Sequence, residues 1–262
     1  MPVRALDHDY KPDGKATPVG LLLPEHDELT IAVCTSKVTS DCIVDTYDAW
    51  WVENKSRFPK VDTLVFLQDN GPENSGRRSQ FLHRMVQFVE QHHVNVRLAY
   101  YPPYHSKYNP VERCWGVLEH HWNGALLDTV EAVVGFARSM TWNKKSPVVR
   151  IATRAYESGI RLSKQAMKAV EAKLSRLPQL PAWFIDINFR APGFVQPVSP
   201  SLGLETVRRR ARTWRNAAFP TTTHLRRSAD VGNDPKFDRR HFQACRRLFS
   251  SLLCRPDLSA AS

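Results

Sequence analysis

The sequence predicts an α/β domain, a mixed β-sheet flanked by helices, with a helical end and an irregular basic tail. The first two apolar segments are joined by a polar turn, which predicts a β-hairpin. After them, apolar segments typical of strands alternate with amphipathic segments typical of helices. No apolar run approaches the roughly 20 residues needed to cross a bilayer. We expect the domain to span 1–188 and an Arg-rich, disordered tail to span 189–262.

The first predicted elements are the hairpin and one helix. Strands are expected at 17–23 and 29–34, on either side of a turn at 24–28. A helix capped by Ser40 or Asp41 should follow, since apolar residues recur there at three- and four-residue spacing. Those residues are Ile43, Val44, Tyr47, Trp50 and Trp51.

The next elements alternate between strand and helix. Residues 63–68 form an apolar run without polar alternation, typical of a strand covered on both faces. An amphipathic helix ending near His92-His93 and a strand at 94–100 follow. Asn109 as N-cap and Pro110 at the first helical position predict a third helix.

Beyond that helix we expect further helices from 130 to 177, broken at 144–147. Within this stretch, helices are predicted at 153–162 and 163–177.

The charge distribution separates the tail from the body. The formal net charge is +11, and residues 190–262 contain 13 Arg and 1 Lys against 5 acidic residues. The body is therefore nearly balanced, and the basic character belongs to the tail. Five cysteines without a CxxC pair support neither a disulfide framework nor a zinc knuckle. With no signal peptide or membrane span, we expect a cytoplasmic protein.

Two carboxylates occupy positions suited to metal binding. Asp69 follows the apolar strand 63–68, and Glu112 falls at the third position of the helix that starts at Pro110. Carboxylate oxygens are ligands for hard cations, and such cations assist phosphoryl transfer. Each residue also has a purely structural interpretation. Asp69-Asn70-Gly71 is a turn signal, and Glu112 fits half of a capping box.

The segments that carry these acids resemble a known family. Leu67-Gln68-Asp69-Asn70-Gly71 and Tyr101-Pro102-Pro103-Tyr104-His105-Ser106-Lys107-Tyr108-Asn109-Pro110-Val111-Glu112-Arg113, followed by Trp115, resemble the second and third acidic motifs of DDE transposases. These enzymes have an RNase H-like catalytic domain. The similarity is closest to the Rhodopirellula-type insertion-sequence transposases and covers roughly residues 3–187, whereas mariner-like enzymes have a looser Pro-Pro-x-Ser-x-x-Asn-Pro-x-Glu version of the third motif.

The resemblance implies roles for both acids. Asp69 would be the second and Glu112 the third catalytic, metal-binding carboxylate, with Mg²⁺ or Mn²⁺ as the cofactor. The implied reaction is metal-assisted hydrolysis of a DNA phosphodiester at the transposon end, then attack of the freed 3′ hydroxyl on target DNA. The implied partners are transposon ends and target DNA, with a second copy of the chain or a full-length transposase as protein partner, and no membrane.

In the family, the first acid lies on a strand upstream of the segment that matches Ala5 to Tyr10. We do not assign that role to Asp7 or Asp9, which match additional positions. We therefore expect an amino-terminally truncated fragment that binds metal weakly and is inactive on its own. Its sheet should lack the first strand and expose a backbone edge.

Five cations flank the two acids and are candidates for contacts to DNA phosphates: Arg77, Arg78, His105, Lys107 and Arg113. A solvated loop surface is the alternative interpretation.

The tail has two interpretations. It is either a flexible basic arm or sequence translated beyond a disrupted reading frame, and we favour the second because the resemblance ends before the arginines begin. Two other functions stay open. One is a noncatalytic DNA-binding protein or regulator on an RNase H-like scaffold. The other is a small nuclease in which Asp7, Asp9 or Asp45 completes the site.

Overall fold

The computed structural model describes residues 15–101, 109–125 and 127–189, and the backbone of 249–256. All of these residues belong to one compact unit formed by 11–189 and 243–262. The helices are α1 (Ser40–Asn54), α2 (Ser79–His92), α3 (Pro110–His121), α4 (Val130–Ser139) and α5 (Lys164–Glu171). The strands are β1 (Thr17–Leu23), β2 (Glu28–Cys34), β3 (Val61–Gln68), β4 (Asn95–Tyr100), β5 (Val148–Ala152), β6 (Leu174–Arg176), β7 (Phe184–Ile187) and β8 (Phe249–Pro256).

The eight strands form one mixed sheet in the order β5-β2-β1-β8-β3-β4-β7-β6. β1 and β2 pair as the predicted antiparallel hairpin, with Leu23 opposite Glu28. β3 and β4 pair in parallel, with Gln68 opposite Tyr100. The sequence-based prediction of an α/β fold with a mixed sheet flanked by helices is therefore confirmed.

Helices cover both faces of the central strands. On one face, Leu21 of β1 and Phe66 of β3 join a single hydrophobic core with the apolar sides of α1 and α2. On the opposite face, α3 lies close to β1, where a Cβ atom added to Gly20 would meet the Trp115 ring. Both faces of β3 are therefore buried, which explains why its sequence is continuously apolar and does not alternate between apolar and polar residues.

The starts of the helices are set by local caps. α1 begins at Ser40, but its N-cap is Thr39, whose side chain accepts a hydrogen bond from the Cys42 amide at 3.4 Å. The predicted caps Ser40 and Asp41 therefore lie one and two residues too far along the chain. α3 begins as predicted, with Asn109 as N-cap in an extended conformation and Pro110 as the first helical residue.

The region after α4 differs from the predicted run of helices. Residues 148–152 form β5, which pairs in parallel with β2, and 153–162 are not helical. The predicted helix at 163–177 is shorter, since α5 ends at Glu171 and β6 follows. Long-range contacts explain the first difference. The Thr35 and Ser36 hydroxyls donate to the backbone carbonyls of Ala152 and Arg154 at 3.4 and 3.3 Å, which holds this stretch against the end of β2.

One segment within the predicted tail belongs to the sheet. Residues 249–256 form β8, which lies in the middle of the strand order. β8 pairs with both β1 and β3, and neither has the open edge that we expected. Residues 190–248 and 257–262 lie outside the described part of the chain. None of the described helices has the length and apolar character needed to span a membrane.

Candidate functional site

Asp69 lies where the central parallel strands end. It follows Gln68, the last residue of β3, and the neighbouring strand β4 ends at Tyr100 in the same register. The backbone amide of Tyr101 donates to the Gln68 carbonyl at 3.0 Å, so the two strand ends stay joined. The carboxyl ends of parallel strands form a crevice where α/β proteins commonly bind ligands. The fold therefore places Asp69 at the edge where a ligand site is expected.

Glu112 lies in the first turn of α3, as the sequence predicted. Its backbone amide bonds to the Asn109 carbonyl at 3.2 Å, which closes the helix start. The capping-box alternative is incomplete, because the Asn109 side chain makes no hydrogen bond to the first amides of the helix. A carboxylate in this position lies close to the partial positive charge of the helix N-terminus. Glu112 is thus a half-buried acid on a rigid element.

The two acids influence each other electrostatically. The pKa of Asp69 is raised from its usual 3.8 to about 7, chiefly by burial; a hydrogen bond from Asn74 opposes this rise, and the negative charge of Glu112 adds to it. Burial also raises the pKa of Tyr101, and the charge of Glu112 adds to that rise. The structure therefore brings Asp69 and Glu112, which are far apart in sequence, within range of one another. A divalent cation would relieve this repulsion.

Asn74 fixes the carboxylate of Asp69, and the sequence did not indicate this residue. Its side-chain amide donates to Asp69 Oδ1 at 3.1 Å, and Asn74 is only 1% exposed. Its backbone carbonyl accepts hydrogen bonds from the Tyr100 hydroxyl at 3.0 Å and the Gln68 side-chain amide at 3.4 Å. The loop after β3 is thereby tied to both central strands. The only signal in the sequence is that Asn74 is an amide residue a few positions after the acid Asp69.

Gly20 and Trp115 set the position of α3 against the sheet. A Cβ atom at Gly20 would lie 2.3 Å from Trp115 Cζ2, far inside any real contact distance. The absent side chain leaves room for the indole ring of Trp115, which is 8% exposed. Because Trp115 lies one turn after Glu112 on α3, this packing contact determines how closely the first turn of α3 approaches the sheet.

The acid pair has the chemistry of a partial site for a hard cation. Carboxylate oxygens suit Mg²⁺ and Mn²⁺, and both acids are accessible enough to keep part of their surface in solvent. Across the described residues, no group of three or more His, Cys, Asp or Glu side chains could hold a metal ion. Asp45 is engaged elsewhere, with Arg84 at 2.5 Å and with Arg154 and Tyr156 at 2.9 and 3.1 Å. Asp7 and Asp9 lie outside the described residues.

Three of the five candidate DNA-contacting cations can be placed. Arg77 is exposed in the loop between Asp69 and α2. Arg78 is half-buried and forms an ion pair with Glu73 at 3.3 Å, so part of its role is to hold the loop. Arg113 is half-buried beside Glu112 on α3. His105 and Lys107 lie outside the described part of the chain.

Comparison with known proteins gives one match. Residues 1–189 match the family model described as the Rhodopirellula transposase DDE domain. No curated protein and no solved structure matches the chain. The matched region covers all of the described elements from β1 to β7 and both acids of the candidate site.

Proposed function

Because this chain belongs to the Rhodopirellula transposase DDE domain family, we propose that it acts in DNA transposition and that Asp69 and Glu112 are two carboxylates of its metal site. The observation that carries this proposal is their electrostatic coupling. One acid follows the central strand β3, the other lies in the first turn of α3, and the charge of Glu112 contributes to the raised pKa of Asp69. Perturbed carboxylates at the end of a sheet are typical of functional sites.

The residues of this chain would act mainly by positioning the metal ion. Mg²⁺ or Mn²⁺ bound here would supply Lewis-acid stabilisation of phosphate oxygens and an activated attacking oxygen. Asp69 and Glu112 would hold the cation from two rigid elements, and Asn74 would fix the orientation of the Asp69 carboxylate. Phosphoryl transfer depends strongly on such positioning, since the protein contributes geometry and charge rather than covalent chemistry.

We further propose that the chain alone does not cleave DNA. A third carboxylate would have to come from an element next to Asp69, and the strand paired with β3 on one side is β8, with Ser250 opposite Gln68. The eight residues of β8 include no acid. This arrangement favours the second candidate function, a noncatalytic DNA-binding protein or regulator on the transposase scaffold, with transposon ends, target DNA or a full-length transposase as partners.

The proposal is tested by measuring metal binding and DNA cleavage separately. Mn²⁺ binding to the full chain is followed by electron paramagnetic resonance, with Asp69→Ala and Glu112→Ala as site variants. Asp62→Ala, at the other end of β3, and Glu119→Ala, two turns further along α3, are the matched controls. We expect each site variant to weaken Mn²⁺ binding at least tenfold and each control to leave it within about twofold, since one carboxylate–cation contact is worth more than about 1.4 kcal/mol.

Cleavage of double-stranded DNA is then assayed with Mg²⁺ or Mn²⁺. No cleavage by folded, Mn²⁺-binding protein is the expected result. Cleavage that both site variants abolish and both controls retain would refute inactivity, while it would support the assignment of the two acids. If all four variants bind Mn²⁺ like the wild type, the proposed metal site is wrong.

Contacts to DNA are tested by substituting Arg77, the exposed arginine of the loop after Asp69, and measuring DNA affinity at several salt concentrations. Arg77→Ala should weaken binding to DNA of any sequence and reduce the slope of log affinity against log salt by about 1, as expected for the loss of one phosphate contact. Arg57→Ala is the control, because Arg57 is also an exposed arginine but forms an ion pair with Glu28 at 2.8 Å. Equal salt slopes for the two variants would remove Arg77 from the proposed interface.

A further inference from the structure

The sheet is held together by a strand from the far end of the chain. β8 pairs in parallel with β1, with Leu21 opposite Ser250, and antiparallel with β3, with Leu64 opposite Cys254. In the strand order, β5, β2 and β1 lie on one side of β8, and β3, β4, β7 and β6 lie on the other. β8 therefore joins two blocks of strands that are not otherwise adjacent in the sheet.

The two strands that flank β8, β1 and β3, are both interior strands of the sheet. All seven residues of β1 and the last five of β3 are buried. Leu21, Leu23, Leu64 and Phe66, each at most 1% exposed, belong to the same core. Without a strand between β1 and β3, two rows of backbone amides and carbonyls would lack partners at the centre of the sheet, which is costly.

We propose that the gap between β1 and β3 is a strand-binding site and that its occupant is the chain's own segment Phe249–Pro256. The mode is β-augmentation, in which main-chain hydrogen bonds give affinity. The segment suits this role, since it carries Leu252 and Leu253 at its centre, and its proline is at the last position, where the loss of an amide interrupts the ladder least.

The register of β8 connects the strand to the candidate site. Its first residues lie beside the end of β3 that precedes Asp69, because Ser250 pairs with Gln68. Helix α3, which carries Glu112, packs against both β1 and β8. Occupancy of the gap thus fixes the spacing between the elements that hold the two acids. The proposal itself concerns the sheet and does not depend on whether the acids bind metal.

Disulfide trapping in the full chain tests the assignment, and the chain already supplies one thiol. Leu64→Cys places a cysteine opposite Cys254 in an antiparallel pair. Directly opposite residues have Cα atoms about 4.5–5.5 Å apart, within the range that a disulfide bridges. Mild oxidation with diamide should therefore join residues 64 and 254 within one chain, detected by mass spectrometry of tryptic peptides and by faster migration without reductant.

Two variants control for the other cysteines. Val65→Cys is also buried in β3, but it lies opposite Leu253 and points to the other face, so it should form no bond to Cys254. Leu64→Cys/Cys254→Ser should give no crosslink at residue 64. Absence of the 64–254 bond in folded Leu64→Cys protein overturns the proposal. A bond formed between two chains also overturns it, because the occupant would then come from a second copy.

A proline substitution gives a readout that needs no thiol. Leu253→Pro removes a backbone donor at the centre of β8 and should lower the thermal midpoint by at least about 6 °C, whereas Ala260→Pro, beyond the strand, should not. If Leu253→Pro fails to fold while Ala260→Pro folds, the proposal is also supported, because the fold would then require β8 in the sheet. Equal midpoints for the two variants would overturn it.

Discussion

The side-chain amide of Asn74 donates a hydrogen bond of 3.1 Å to a carboxylate oxygen of Asp69. Asn74 is almost fully buried, and its own backbone carbonyl is held by Tyr100 and Gln68. The donor is therefore fixed in place before any ligand arrives. This contact opposes the effect of burial and of Glu112 on the pKa of Asp69.

Asn74→Ala should raise the pKa of Asp69 above about 7, because the substitution removes the hydrogen bond that lowers it. Mn²⁺ binding at pH 7 should weaken about tenfold, consistent with roughly 1–3 kcal/mol for a hydrogen bond to a charged group. Gln91→Ala is the matched control, since Gln91 also donates an amide to a carboxylate, that of Asp48 at 3.2 Å, on an exposed surface. Titration of Mn²⁺ between pH 6 and 8.5 measures both effects. An unchanged pH profile for Asn74→Ala would contradict a positioning role.

Asp69→Asn should change the pH dependence of stability. Since the pKa of Asp69 rises from 3.8 to about 7 on folding, the folded state keeps a proton that the unfolded state releases in this range. The wild type should therefore lose stability as the pH rises from about 4 to 7, by at most roughly 4 kcal/mol at 1.4 kcal/mol per tenfold change in proton affinity.

Asp69→Asn removes this loss, so the variant should match the wild type near pH 4 and exceed it in stability at pH 8. Urea unfolding without metal at both pH values measures the difference. Asp62→Asn, on the same strand, should keep the wild-type pH dependence because Asp69 still titrates. If Asp69→Asn is less stable than the wild type at pH 8, the carboxylate is not strained by burial.

Gly20→Ala should displace α3 and weaken the site from a distance. The added Cβ atom would lie 2.3 Å from Trp115 Cζ2, so either β1 or α3 has to move. We expect a loss of roughly 1–3 kcal/mol in the free energy of unfolding, typical of overpacking in a core, and weaker Mn²⁺ binding through the shift of Glu112. Urea denaturation and Mn²⁺ titration measure the two effects.

Gly116→Ala provides the control for this substitution within α3 itself. A Cβ atom at Gly116 meets nothing within 4 Å, so alanine should stabilise the helix by about 0.5–1 kcal/mol. The double variant Gly20→Ala/Trp115→Leu should recover part of the lost stability, because the clash is with the indole ring. Additive effects of the two substitutions would show that Gly20 and Trp115 are not coupled.

The sequence predicted the elements from β1 to α3 because their signals are local. Apolar spacing identifies α1 and α2, and Asn109-Pro110 marks the start of α3 wherever the rest of the chain lies. β5 was mistaken for helix because its strand character depends on pairing with β2, whose sequence is remote. β8 escaped prediction for the same reason, because its strand character depends on pairing with β1 and β3, which are remote in sequence.

The candidate site shows the same division between local and long-range information. Asp69 and Glu112 are predicted from motifs that lie beside a strand end and a helix start. Asn74 was not found, because a loop has no periodicity and its contact with Asp69 depends on how the loop folds back. The role of Gly20 depends on a helix that packs from the other face of the sheet. Residues that support a site through tertiary contacts carry little signal in a single sequence.

The ion pair between β4 and β7 should matter for stability more than the surface pairs do. Arg97 Nε and Nη2 contact the two carboxylate oxygens of Asp186 at 2.5 and 2.9 Å, and these residues pair directly across the two strands. Both side chains are less than a fifth exposed. Arg97→Met leaves a half-buried carboxylate without its bidentate partner and should cost roughly 2–4 kcal/mol.

Arg97→Met/Asp186→Leu should recover most of that loss, since it removes both charges and leaves an apolar cross-strand pair. Arg57→Met, which breaks an exposed ion pair with Glu28, should cost less than about 1 kcal/mol. Urea unfolding of the four proteins at pH 7 measures these differences. A double variant as unstable as Arg97→Met would contradict this explanation, because the isolated carboxylate would then not be the source of the loss.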